Sequence, residues 1–179
     1  MSRESKFLSL ALRHKPEEIG LQLDKHGWVR VDELLRKLKK ANRKLSRDEL
    51  VQLVESSDKK RFTLSEDGSR IRAAQGHSVD VDLDLDPRRP PDELYHGTAN
   101  TKLDAIFADG LNPGRRRQVH LSTNPETAER VGQRHGKPVV LRVEAKRMFD
   151  DGFEFFCADN GVWLTDKVPA SYLGFGQTD

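Results

Sequence analysis

Residues 86–92 read DPRRPPD and place three prolines within seven positions. Each proline fixes its own φ, lacks an amide proton and pushes the preceding residue toward extended backbone. Neither a helix interior nor a central strand can pass through such a stretch, which reads instead as a stiff spacer. It divides a chain of 179 residues into two lobes, predicted as residues 1–86 and 92–179 joined by a linker at 87–91. Each lobe is long enough to close one modest core. A hydrophobic fraction of 35% is lean, yet it suffices for two such cores.

Charge divides at the same place. Residues 1–78 hold 18 Lys/Arg against 12 Asp/Glu, residues 79–92 hold two against five, and the remainder holds 11 against 12. A basic front half fits a polyanionic partner such as nucleic acid, because lysine and arginine gain affinity by displacing condensed counterions. A solvated helical surface fits the same charges equally well. The single cysteine, Cys157, rules out an internal disulfide framework and points to a reducing compartment, hence the cytoplasm. No apolar run approaches the roughly 18–20 residues that a membrane helix needs.

The first lobe reads as helices followed by a hairpin. The segment SKFLSLALRH carries an apolar stripe at residues 7, 8, 10, 11 and 12, and Pro16 blocks its continuation. GWVRV reads as a short strand. DELLRKLKKAN reads as a helix with Asp32 as N-cap and Leu34, Leu35 and Leu38 inward. LSRDELVQLVESS opens on a capping box, Ser46 with Glu49, and turns Leu50, Leu53 and Val54 inward. RFTLSEDGSRIRA gives two strands about an Asp67-Gly68 turn. Helices followed by a basic hairpin outline a winged-helix lobe. VDVDLDLD alternates strictly and is expected to be a strand with its aspartates in solvent. A calcium loop would need Gly at Leu85 and Glu at Pro91.

The second lobe reads β-α-β-α-β followed by further strands. ELYHGT is a strand, TKLDAIFADG a helix closed by Gly110, and QVHLST a strand. NPETAERVGQRHG is a helix from Pro125 to Gly136, PVVLRVEA a strand, and FEFFCADNGVWLT holds at least one more. The fold class is therefore α+β.

The chain lacks a dinucleotide-binding glycine fingerprint, a P-loop, a zinc-protease helix and a nucleophile elbow. Its six histidines have no metal-ligand spacing, so no metal is expected. What remains are arginines and histidines at element ends: Arg13–His14, Arg61, the QGHS segment with Gln75 and His77, His96 in HGT, and Arg115–Arg117 ahead of His120. Arginine's planar fork matches phosphate oxygens, and histidine exchanges protons near neutrality. Singly, each has a plainer explanation. Arg13 at a helix C-terminus complements the macrodipole, Arg115–Arg117 make a solvated loop, and His96 and His120 make hydrogen-bonded core residues.

In combination they are distinctive. LRHKP, DKKRF, GSRIRAAQGHS, LYHGT, GLNPGRRRQVHLS and NGVWLT follow one another as in the Tpt1/KptA family of NAD-dependent RNA 2′-phosphotransferases, which the chain resembles over roughly residues 4–175. The resemblance implies an N-terminal winged-helix RNA lobe and a C-terminal ADP-ribosyltransferase-like mixed α/β lobe. It implies an Arg-His-Arg-Arg tetrad at Arg13, His14, Arg61 and Arg116, with Arg115 and Arg117 flanking the last. It implies NAD contacts at His96, Gly97, Thr98, Gly110, Leu111, His120 and Ser122, the Gly97 backbone pairing with the nicotinamide amide. RNA contacts are expected at Lys15, Lys60, Gln75, His77 and Arg115. Members often carry a histidine where this chain has Gln118. The catalytic glutamate of the broader ADP-ribosyltransferase class has no counterpart in NGVWL.

The implied reaction has two steps. An internal RNA 2′-phosphate attacks the nicotinamide ribose of NAD, expelling nicotinamide and leaving a phospho-ADP-ribosylated RNA. The adjacent ribose hydroxyl then attacks phosphorus, giving 2′-OH RNA and ADP-ribose 1″,2″-cyclic phosphate. His14 is a general acid or a phosphate ligand in this scheme. The expected substrate is tRNA-like, in splicing or RNA repair, and the expected enzyme is a cytoplasmic monomer. Two alternatives remain: an ADP-ribosyltransferase acting on a terminal phosphate of RNA or DNA, and a non-enzymatic winged-helix binder.

Overall fold

The computed structural model describes residues 2–176, which divide into two compact units, one ending at Asp84 and the other beginning at Leu85. The break precedes the proline segment, which belongs to the second unit. There the Arg88 N–H donates to the Phe155 carbonyl, and Pro90 is buried.

In the first unit, α1 (Arg3–Arg13) starts at Ser2, whose hydroxyl accepts from the Ser5 N–H, and buries Leu8, Ala11 and Leu12. Pro16 does more than stop α1, because it opens a short 3-10 turn, Pro16–Ile19, closed by left-handed Gly20. After β1 (Val29–Arg30) come α2 (Val31–Lys40) and α3 (Arg47–Glu55). The Ser46–Glu49 capping box is complete. Asp32 is not the N-cap: the helix begins one residue earlier, and the Asp32 carboxylate accepts from Arg47 instead. Strands β2 (Phe62–Leu64) and β3 (Arg70–Ala73) form the expected hairpin, and β1 adds to β3, giving an antiparallel order β1-β3-β2. Leu8, Leu12, Leu34, Leu38, Leu50, Phe62 and Ile71 fill the core between helices and sheet.

The VDVDLDLD segment forms no strand. Its side chains alternate as expected, Val81 buried and Asp80, Asp82 and Asp84 exposed. Its backbone, however, has no neighbouring strand to pair with. The Asp82 N–H donates to Lys25, the Leu83 carbonyl accepts from the Arg72 guanidinium, and Asp84 turns to φ 54° over the Asp82 carboxylate.

The second unit contains β4 (Leu94–Ala99), α4 (Leu103–Asp109), β5 (Val119–Leu121), α5 (Pro125–Gly132) and β6 (Pro138–Val143). It continues through α6 (Ala145–Asp150), β7 (Phe156–Cys157), β8 (Trp163–Thr165) and β9 (Leu173–Phe175). Two antiparallel sheets, β4-β6-β9 and β5-β8-β7, are joined where Tyr95 and Ser122 exchange backbone hydrogen bonds. Three boundaries differ from those expected. α5 ends at Gly132 rather than Gly136, β6 stops at Val143, and Ala145 opens a helix. Leu94, Leu121, Leu141, Met148 and Phe155 form the centre of this core.

α5 lies unusually close to β4. A Cβ on Gly97 would come within 1.7 Å of the Ala128 carbonyl oxygen, and one on Gly132 within 2.8 Å of that of Thr98. Only glycine lets these two backbones meet at this separation.

Candidate active site

Arg13 is the last residue of α1, where carbonyls lack helical partners. The chain leaving β3 supplies them, since the N–H groups of Ser78 and Val79 both donate to the Arg13 carbonyl. The Ser78 hydroxyl then meets His14 Nδ1 at 2.9 Å. The QGHS segment thus returns to the helix end and fixes the imidazole beside it.

Arg13 Nη2 donates to the Arg61 carbonyl at 3.3 Å, the same oxygen that accepts from the Ala74 N–H. Arg61 in turn donates through Nη1 to the Ser57 hydroxyl at 3.2 Å. Arg13, His14 and Arg61, far apart in sequence, therefore stand together at one end of the first unit. Lys60, beside them, is held at φ 39°, an uncommon conformation for a residue with a Cβ.

The expected RNA contacts fare differently. Lys60 is exposed, while Lys15, also exposed, is paired with Glu18 at 3.1 Å. Gln75 is half-buried and its Oε1, shielded from water, has no partner among the described residues. His77 is 5% exposed and lies beneath the surface rather than on it. Burial, and then the charges of Arg13, Arg72 and His14, push its imidazole down to about 4, so it is neutral at pH 7. His77 therefore backs the cationic pair without adding to its charge.

In the second unit, His96 and Gly97 lie on β4. His96 Nδ1 sits 3.0 Å from the His120 carbonyl oxygen. A carbonyl only accepts, so Nδ1 carries the proton and Nε2 keeps its lone pair. Burial holds the imidazole below its ordinary range, and the nearby charges of Arg116, Lys102 and His135 act in the same direction. His96 is thus a neutral acceptor.

Alternate residues of a strand direct their backbone groups to the same edge. Tyr95 faces β5 and exchanges hydrogen bonds with Ser122, so Gly97 presents its N–H and C=O on that same edge, one pair further along. In that antiparallel register Gly97 stands opposite His120, within β5, yet the backbone pairing between the two sheets stops at Tyr95–Ser122. Among the described residues nothing bonds to the Gly97 N–H and C=O on this edge, which therefore offers a donor and an acceptor where the two sheets part.

Arg116, the middle one of the three consecutive arginines, donates through its guanidinium to His120 Nδ1. Gln118 donates to Asp166 at 3.3 Å. Thr98 is buried, and its carbonyl packs against Gly132. Gly110 ends α4 at φ 79° against Val168. Leu111 is 4% exposed and both its backbone groups bond to Val168, so it has packing work in the core and offers no polar group.

Comparison with known proteins places these residues in context. Residues 1–167 match the model of the family described as "RNA 2'-phosphotransferase, Tpt1 / KptA family". The chain belongs to the Tpt1/KptA family. It is 61% identical over 169 residues to a protein of Agrobacterium fabrum named "Probable RNA 2'-phosphotransferase", covering 94% of this chain and 91% of that one. A protein of the same name from Hahella chejuensis is 52% identical over 178 residues, covering 99% and 96%. One from Flavobacterium johnsoniae is 48% identical over 171 residues, covering 96% and 94%. The family is one of transferase enzymes.

The structure of this family member adds basic residues that sequence reading missed. Lys102 and His135 act on His96, and Arg134 on Arg116. Arg134 and His135 follow α5 directly, in the QRHG segment read as part of that helix. Their hint was a basic cluster in the last turn of that expected helix. Among the described residues no group of three or more His, Cys, Asp or Glu side chains could hold a metal ion. Among the same residues no helix is long and apolar enough to cross a membrane.

Proposed function

We propose that the protein is an NAD-dependent RNA 2′-phosphotransferase that moves an internal 2′-phosphate from RNA to the ADP-ribose part of NAD. RNA with a free 2′-hydroxyl, nicotinamide and ADP-ribose 1″,2″-cyclic phosphate are its products. Family membership supports the reaction class. The observation that carries the assignment of residues is the junction of Arg13 with Arg61 beside His14.

The first unit is the RNA lobe, a winged helix in which β2 and β3 are the wing. A phosphate monoester is mostly dianionic at pH 7, since its second pKa is about 6. The substrate therefore needs positioning more than deprotonation. Arg13 and Arg61 offer planar forks that match phosphate oxygens and stay charged. Fixed positive charge of this kind stabilises the equatorial oxygens during phosphoryl transfer. His14, oriented by Ser78, donates to the phosphate or protonates a departing oxygen.

The second unit is the NAD lobe, of the ADP-ribosyltransferase kind. Its residues fit that group: the unpaired backbone edge at Gly97 matches a carboxamide, which brings one donor side and one acceptor side. Neutral His96 presents an acceptor at Nε2 for a ribose hydroxyl, and Ser122 bonds to Tyr95 next to it. Arg116, Lys102 and Arg134 supply the positive field a diphosphate requires. When bound, NAD supplies an activated ribose carbon with nicotinamide as leaving group.

A substrate labelled with ³²P at the internal 2′-phosphate tests this reading. The label should leave the RNA attached to ADP-ribose; release as inorganic phosphate would refute it. The physiological setting we assign is repair or splicing of tRNA-like molecules by a cytoplasmic monomer.

A further inference from the structure

The basic residues of the first unit are not spread evenly. Positions 36–47 hold seven Lys/Arg and no Asp/Glu. Arg47 is paired with Asp32, but among the described residues Arg36, Lys39, Lys40, Arg43 and Lys44 have no carboxylate partner. Arg36, Lys39, Lys40 and Lys44 are all exposed. Concentrating like charge on one helix and its following loop costs folding free energy through self-repulsion. A polyanion bound there relieves it.

This charge borders a groove of about 410 Å³ between the start of α1 and the loop after α2. Arg3, Arg43 and Lys44 line it, with Phe7, Leu38 and Leu45 as its apolar floor and Glu4 as its one carboxylate. The Arg43 guanidinium lies 3.8 Å over the centroid of the Phe7 ring, a cation–π contact that holds it at the groove. Asn42, at φ 56°, turns the chain so that Arg43 and Lys44 reach the groove.

We infer that this groove and the C-terminal half of α2 form a docking surface for the sugar-phosphate backbone of RNA, separate from the 2′-phosphate site. It deepens the functional reading above and rests on it. The groove lies at Arg3 and the phosphate site at Arg13, opposite ends of α1. Ten residues of helix span about 15 Å. At about 3.4 Å of rise per nucleotide, that is roughly four to five nucleotides along one strand. RNA shorter than this reaches the catalytic arginines alone, and longer RNA reaches both.

Binding of RNA without any 2′-phosphate, and without NAD, tests the surface independently of the reaction. Fluorescence anisotropy of 4-nucleotide and 16-nucleotide oligomers would be followed at several salt concentrations. The 16-mer should bind at least tenfold tighter at low salt. Lys39→Ala/Lys40→Ala/Arg43→Ala/Lys44→Ala should abolish that advantage and flatten the log–log salt slope by about 2–3 units, at about 0.7 per lost phosphate contact. If this variant melts early, Lys39→Glu/Lys44→Glu leaves the Arg43–Phe7 contact intact and should act in the same direction. Equal binding of both lengths would overturn the proposal. So would an unaltered salt slope in a folded variant, or stronger binding to phosphatidylserine vesicles than to the 16-mer. Loss of the reaction with the length effect intact would refute the functional reading and spare the surface.

Discussion

Arg13 reaches across 48 residues of sequence to donate to the main-chain carbonyl of Arg61, 3.3 Å from its Nη2. Because the acceptor is backbone, this contact holds the two arginines together whatever side chain occupies position 61. Arg61→Ala should therefore remove a guanidinium without loosening Arg13. An arginine acting on a transferring phosphoryl group is worth about 10³–10⁵ in rate. We expect turnover to fall by at least about 10³ at a melting temperature close to wild type. An RNA species carrying ADP-ribose on its 2′-phosphate should accumulate, which denaturing gel electrophoresis would resolve.

Arg13→Lys keeps the charge and loses the fork. Lysine presents a compact ammonium that cannot span two phosphate oxygens and the Arg61 carbonyl together. A loss in kcat of at least tenfold, measured under saturating NAD, is expected; wild-type kcat would argue that only net charge matters here.

Gly97→Ala has a structural outcome. Its Cβ would lie 1.7 Å from the Ala128 carbonyl oxygen, so β4 and α5 must separate. Forcing backbone apart in a packed core costs about 1–3 kcal/mol or more. Thermal unfolding should register a fall of several degrees, and NAD binding should weaken along with it.

Stability should depend on pH in a defined window. His77, held at about 4, and His96, also lowered, bind protons less readily folded than unfolded. The unfolded chain takes up protons first, so stability is complete above about pH 6.5 and falls as pH drops toward 4. For His77 the loss between pH 7 and pH 5 is on the order of 2 kcal/mol, read from urea unfolding at those two values. His77→Gln should flatten that dependence.

Among the three consecutive arginines, Arg116→Ala should cost the most activity, because the Arg116 guanidinium donates to His120, whose carbonyl accepts from His96. Steady-state rates of the three single alanine variants give the ranking directly.

Local chemistry was legible in the sequence, and distant packing was not. The Ser46–Glu49 box and the Asp67 turn form as expected because each involves residues only a few positions apart. VDVDLDLD has the alternation of a strand and keeps it in its burial, but pairing depends on a neighbour that the pattern cannot supply. α6 was hidden because Ala145 continues an apolar strand run into a short helix. The arginines and histidines stood out at element ends, yet the junction of Arg13 with Arg61 follows from how β2 packs, not from their spacing. Likewise Gly97 was marked by its HGT context, while its contact with Ala128, 31 residues away, belongs to the tertiary fold.

In the proposed reaction, phosphate leaves RNA only by transfer to an NAD-derived acceptor. The direct measurement is the stoichiometry of nicotinamide release and 2′-hydroxyl formation on a short RNA bearing one internal 2′-phosphate, without added metal. One nicotinamide should appear for each phosphate removed, and no phosphate should be removed when NAD is withheld. Dephosphorylation that proceeds without NAD, or NAD consumption that leaves the RNA unchanged, would contradict it.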